Sequence, residues 1–144
     1  MLFTVSVFRD KKGVLLMIPF AHDEDGIRRN VNKPIVIEPP YQNGDIAQKL
    51  KECFEICKKG PYPRAEMSVM VYKEVTGISS YPKFSKERAN VNAQFDSTKG
   101  YLFRPSKREK DGSYTHKEEA IETGMNPTGI ELEEALMRAY EQCE

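Results

Sequence analysis

Two cysteines four residues apart, Cys53 and Cys57, and two histidines, His22 and His116, are the side chains of this 144-residue chain best suited to chemistry. On a helix, an i, i+4 pair of cysteines presents both thiols on one face, where they could share a metal ion. Zinc would need two further ligands, and only His22, His116 and Cys143 could add them. No Cys-x-x-Cys knuckle occurs. Both cysteines also fall on an apolar stripe, where a thiol packs as a small hydrophobe, so core packing is expected. A cysteine–histidine pair could make an activated nucleophile. Each histidine, however, lies in a polar segment beside a charge, as His22-Asp23 and His116-Lys117, and is expected to be solvated. The nine glycines are scattered, and none builds the phosphate loop Gly-x-x-x-x-Gly-Lys. Lys107-Arg108-Glu109-Lys110 and Arg28-Arg29 read as solvated turns. No catalytic residue, metal site or cofactor is expected.

Three acidic runs remain: Asp23-Glu24-Asp25, Glu118-Glu119 and Glu131-Leu132-Glu133-Glu134. Runs of like charge are usually solvated faces. Grouped in space, they would offer a surface to a basic partner and speed its approach.

The elements that would carry these groups follow from hydrophobic period and turn chemistry. Leu2 to Phe8 reads as a strand, Asp10-Lys11-Lys12-Gly13 as a turn, and Val14 to Phe20 as a second strand. Asp25-Gly26 is a hairpin signal, and Pro34 to Glu38 a third short strand. Asn43 or Asp45 can cap a helix to about Lys59, with Ile46, Leu50, Cys53, Phe54 and Cys57 on one stripe. Arg64 to Thr76 is read as helix, closed by Gly77, although Ser68 to Tyr72 would also pass as a strand. Ser80-Tyr81-Pro82 opens a short helix carrying Tyr81 and Phe84. Three further strands are expected at Val91 to Phe95, Tyr101 to Ser106 and Ser113 to Lys117. A closing helix starts at Thr128-Gly129-Ile130-Glu131, which has capping-box spacing. Its stripe is Ile130, Leu132, Leu136, Ala139, Tyr140 and Cys143.

The plan is stated twice. Aligning residues 1–58 with 87–144 gives ten identities, among them Asp10/Asp96, Pro19/Pro105, Asp25/Asp111, Gly26/Gly112, Leu50/Leu136 and Cys57/Cys143. Roughly three or four would arise by chance from ordinary composition. Turn pairs with turn and helix face with helix face, so the chain reads as a duplicated β-β-β-α unit. The expected fold is α+β: a mainly antiparallel sheet of about five or six strands with the two repeat helices packed on one face. Residues 1–144 form a single domain, with pseudo-repeats 1–59 and 87–144 joined by a helical connector 60–86.

Charged residues make up 31% of the chain and hydrophobic ones 39%, a globular balance, and the net charge is zero. A neutral chain gives no electrostatic case for direct nucleic-acid or membrane binding. Three cysteines, an odd count without an export signal, suit reduced thiols and a cytoplasmic location.

The second half carries a pattern. Gly77-Ile-Ser-Ser-Tyr-Pro-Lys-Phe84 opens it, then a strand, the Asp96 turn and Tyr101-Leu-Phe-Arg-Pro105. A basic loop with Asp111-Gly-Ser-Tyr114 follows, and a helix with Leu132-Glu-Glu-Ala-Leu136 closes it. This resembles one family of contact-dependent growth inhibition immunity proteins, small cytoplasmic bacterial proteins. The departures are Pro82 inside the aromatic helix, Tyr114 where Phe is common, and Glu133 in place of the usual Gly. The resemblance implies a non-enzyme that binds the cognate C-terminal toxin domain of an exported effector, as a monomer in a 1:1 complex. Such toxins are often nucleases, hence basic, which makes Asp23, Glu24, Asp25, Glu118 and Glu119 the expected toxin-binding residues. The competing expectation is a small enzyme or nucleic-acid module using His22/His116 with Cys53/Cys57.

Overall fold

The computed structural model describes residues 1–68 and 70–144. Eight strands form one curled antiparallel sheet, and the turn residues explain where each strand ends. Strand β1 (Leu2–Arg9) turns back into β2 (Leu15–His22). The Asp10 carboxylate caps that turn, accepting from Lys12 N and Val14 N at 2.9 Å each. Two three-residue strands follow, β3 (Arg28–Asn30) and β4 (Ile35–Ile37), then helix α1 (Asp45–Lys58). The connector holds a 3-10 turn at Arg64–Glu66, α2 (Val71–Thr76) and α3 (Tyr81–Ser85). The second half runs β5 (Ala89–Asp96), β6 (Gly100–Arg108), β7 (Tyr114–His116), β8 (Ile121–Gly124) and α4 (Gly129–Glu141).

The α+β class and the twice-stated β-β-β-α pattern are as expected, with more strands than the sequence suggested. Six follow the order β3-β2-β1-β5-β6-β7, while β4 also pairs with β2 and β8 with β6. Arg28–Asn30 and Ile121–Gly124 escaped notice because three or four residues with charges among them show no readable alternation.

The repeat is exact to the hydrogen bond. Asp23 N bonds Ile27 O at 2.8 Å and Glu109 N bonds Ser113 O at 2.8 Å, both partners displaced by 109 − 23 = 86. Val31 N to Pro19 O and Lys117 N to Pro105 O, both 2.9 Å, repeat the displacement. The matched cysteines do so too: Cys57 Sγ donates to Thr4 O at 3.4 Å and Cys143 Sγ to Asn90 O at 3.2 Å. In the central β1–β5 pairing Ser6 faces Asn92, its own repeat image (92 − 6 = 86), so a local two-fold passes between them.

One face of the sheet buries Val5, Val7, Leu15, Met17, Val91, Ala93 and Phe103 against both long helices. From α1 come Ile46, Leu50, Cys53, Phe54 and Cys57, the whole expected stripe. From α4 come Leu132, Ala135, Leu136, Ala139 and Tyr140. Ile130 corrects the expected stripe: it is 69% exposed, because it sits in the first turn of α4, ahead of the residues that meet the sheet. The α4 capping box forms, with Thr128 N to Glu131 Oε1 at 3.0 Å and Glu131 N to Thr128 Oγ1 at 3.1 Å. The α1 cap is instead Gly44, at φ 83°, with no side-chain bond from Asn43 or Asp45. Among the described residues between Arg64 and Thr76, a 3-10 turn spans Arg64–Glu66 and α-helix runs from Val71, with Gly77 as its left-handed C-cap. Val69, part of the alternative strand there, lies outside the described residues.

Candidate functional site

The face of the sheet away from α1 and α4 is polar by design of its period. On β1 the residues pointing there are Thr4 and Ser6, alternating with buried Val5 and Val7. On β5 they are Asn90, Asn92 and Gln94, alternating with Val91 and Ala93. One end of this face is covered where Phe8, Leu16 and Ile18 pack against Val71, Tyr72 and Phe84 of the connector helices. The rest is open. Thr4, Ser6, Phe20, Arg28, Asn92 and His116 line a hollow of about 270 Å³. A second hollow of about 270 Å³ shares Thr4, Phe20 and Arg28 and passes toward the helix side at Cys57, so it adjoins the first and extends the trough. Arg28 and His116 stand on β3 and β7, opposite ends of the strand order, and only the curl of the sheet lets both wall it.

A chain of hydrogen bonds crosses the trough's floor. Ser106 Oγ lies 2.7 Å from His116 Nδ1 and donates to Asn90 Oδ1 at 3.1 Å. Asn90 Nδ2 donates to Ser6 Oγ at 2.8 Å. With the Ser106 proton given to Asn90, the Nδ1–H tautomer of His116 completes the chain and leaves Nε2 open. Partial desolvation, then Arg104 and Arg28, lower the His116 pKa. Arg104 donates to Gln94 Oε1 at 3.3 Å and to the carbonyls of Lys117 and Glu118. Arg28 lies with its guanidinium carbon 4.8 Å from the Phe20 ring centroid. Thr4 is 3% exposed and its hydroxyl has no partner among the described residues.

The expected acidic residues are placed unequally. Asp23 is 1% exposed. Its Oδ1 accepts from Asp25 N and Ile27 N at 2.9 Å, and its Oδ2 lies 2.8 Å from Arg29 Nε and 3.6 Å from Arg64 Nε. It thereby shapes the loop that carries Glu24 and Asp25, which are exposed. Asp25 also lies 3.1 Å from Arg64 Nη2. Glu118 and Glu119 are exposed just beyond β7. The two acidic segments thus adjoin β3 and β7, the strands that supply the trough's two walls.

The bond from Arg29, aided by the two backbone amides, pulls the Asp23 pKa down to about 2. A depressed carboxylate stabilises the fold above its unfolded pKa of about 3.9 and loses that contribution as pH falls through the folded value. Asp23→Asn should therefore lower Tm by about 5 °C at pH 7. The gap to wild type should narrow between about pH 4 and pH 2 in thermal unfolding curves.

The thiols of Cys53 and Cys57 pack in the core, as expected. Burial pushes Cys53 far above the usual thiol range and Cys57 up to about 11. The Cys57 and Cys143 thiols are occupied by backbone carbonyls, and His116 Nδ1 faces a serine. Neither cysteine of the helix pair is a thiolate near neutral pH. Among the described residues no group of three or more His, Cys, Asp or Glu could hold a metal ion, and no helix is long and apolar enough to cross a membrane. The trough's one signal in the sequence is Asn90-Val91-Asn92-Ala93-Gln94, a strand with an amide on every second residue.

No protein-family model and no curated protein matches the sequence. Among solved structures, the fold aligns over 100% of this chain and 96% of a protein of unknown function from Neisseria meningitidis, with a TM-score of 0.75 and 10% identity. It also aligns over 100% of this chain and 98% of a chain of the CdiA-CT/CdiI toxin and immunity complex from Yersinia pseudotuberculosis, with a TM-score of 0.71 and 10% identity. At that identity the likeness is one of fold.

Proposed function

We propose that this chain is an immunity protein, which binds and neutralises the cognate C-terminal toxin domain of a contact-dependent growth inhibition effector in the bacterial cytosol. The observation that carries this reading is the end-to-end likeness of fold to a chain of a toxin and immunity complex. The side chains are consistent with it. Buried thiols bonded to carbonyls supply no nucleophile, whereas an open, walled recess with exposed charged loops on both sides is the material of recognition. Inhibition then needs no chemical step. A monomer in a 1:1 complex would cover the toxin's working surface with an interface of roughly 1,600 Å². For a nuclease toxin, basic around its substrate site, Glu24 and Asp25 on one wall and Glu118 and Glu119 on the other supply opposite charge, with Asp23 fixing the first loop.

The test is co-expression with the toxin domain encoded by the open reading frame immediately upstream of this gene. Wild-type chain should restore bacterial growth and bind the purified domain 1:1. Reversing Glu24, Asp25, Glu118 and Glu119 to Lys should slow association and weaken binding about 10-fold or more, most clearly at low salt. Failure of the wild type to protect overturns the proposal. Full binding by the quadruple variant removes the acidic walls from it.

A further inference from the structure

We propose that the trough on the open sheet face receives a carboxylate side chain from a loop of the toxin domain, with Arg28 as its cationic partner and Thr4, Ser6 and Asn92 as neutral donors. This rests on the immunity reading and adds where the partner enters and what chemistry it presents.

The lining is unbalanced toward donation. Among its residues stand the Arg28 guanidinium and the two histidines, and no Asp or Glu. Arg28 forms no ion pair among the described residues and rests on the Phe20 ring, which holds its planar fork in place without using its donors. Arg104, its charge unneutralised by the carbonyls it meets, adds to the positive field over the floor.

The neutral donors are unspent. The Thr4 hydroxyl is buried, lines both hollows and has no partner among the described residues. A buried hydroxyl left so is costly in the free protein and is repaid when an acceptor arrives. Ser6 Oγ accepts from Asn90, which leaves its own proton to give away. Asn92 lies beside it, 8% exposed, on the local two-fold at the middle of the floor. The relay through Ser106 and Asn90 locks Ser6 in place, so this donor set is preorganised.

A carboxylate fits better than a phosphate. One free guanidinium with hydroxyl and amide donors balances a single negative charge and matches the bidentate geometry of a carboxylate. A phosphate dianion is ordinarily met by several cations or by main-chain N–H groups at a loop or helix start. Here the N–H groups of β5, the middle of the floor, are committed to β1 and β6 on its two sides. Two connected hollows also suit an extended loop that lays a side chain into the middle.

Two arms test this. In the first, the upstream toxin domain is titrated against variants. Arg28→Glu should raise Kd about 100-fold, and Arg28→Lys should recover part of that loss. Thr4→Val should weaken binding about 10-fold while raising the Tm of the free protein, since it removes an unpaired buried hydroxyl at nearly constant shape. A merely structural role for Thr4 would move both quantities in the same direction. Unchanged affinity in Arg28→Glu and Thr4→Val, with wild type binding, overturns the inference and leaves the immunity reading standing. If wild type does not bind that domain, the immunity reading fails and the second arm decides the trough. There the protein alone is titrated with a Glu-containing hexapeptide, its Gln counterpart and inorganic phosphate, followed by NMR. Shifts at Thr4, Ser6, Asn92 and His116 with the Glu peptide alone, lost in Arg28→Glu, are expected. Shifts with phosphate but not the Glu peptide, or with neither, overturn the inference.

Discussion

Phe84→Ala should lower the unfolding free energy by about 3–5 kcal/mol, the range for emptying a fully buried aromatic site. Phe84 is 0% exposed and lies at the centre of a small second core, apart from the one beneath α1 and α4. Its ring stacks on Tyr72 at 4.6 Å between centroids and meets Phe8 edge-on at 4.9 Å. The Arg88 guanidinium carbon lies 4.6 Å from the ring centroid, and Arg88 Nη1 donates to Phe84 O at 2.6 Å. α2 and α3 have six and five residues, too short to hold as helices unless docked. Loss of the ring should therefore free the connector before the rest. Urea denaturation gives the total, and hydrogen exchange should accelerate between Val71 and Ser85 more than in β1 or β5. A loss below about 1 kcal/mol, or uniform acceleration, would mean that Phe84 does not hold the connector down.

That position shows why part of the molecule was legible in the sequence. Ser80-Tyr81-Pro82 marks a helix start through proline's fixed φ, and Thr128 to Glu131 marks another through a reciprocal pair of hydrogen bonds. Such signals are local, and a window of a few residues contains them. The stripe from Ile46 to Cys57 is legible for the same reason. Ile130 departs from its expected place because period assigns a residue to a helix face without showing how far along the helix the sheet reaches. The trough is harder still. Thr4, Phe20, Arg28, Asn92 and His116 come from five strands, and what gathers them is curl, a property of the whole sheet. Asp23 could be read as charged but not as buried, because Arg64, which shares it with Arg29, lies far along the chain in the connector.

The two halves can be compared at one matched atom. Gly26 and Gly112 occupy the same place in the repeat, with φ of +79° and +91°. An alanine in that left-handed region costs roughly 1–2 kcal/mol by crowding Cβ against the following carbonyl. At Gly26 nothing lies within 4 Å of the added carbon, so Gly26→Ala should cost that amount and no more. At Gly112 the carbon would sit 2.7 Å from Pro82 Cα and 3.0 Å from Ser85 Oγ. The first of these is α3 backbone, which is braced by Arg108 donating to Pro82 O and Ser85 Oγ at 3.0 Å each. Gly112→Ala should therefore add about 1–3 kcal/mol of overpacking, for about 3 kcal/mol in all. Denaturation of the two variants should separate them clearly, and equal losses would mean that α3 yields without cost. A double variant sharpens the comparison. Once Phe84→Ala has loosened α3, Gly112→Ala has less to collide with, and its added cost should fall to the value at Gly26. The two losses should then sum to more than the double variant shows, by about 1–2 kcal/mol of coupling. Additive losses would break the link between the Asp111-Gly112 turn and the connector, and with it the account of how a repeated scaffold comes to have one covered end and one open trough.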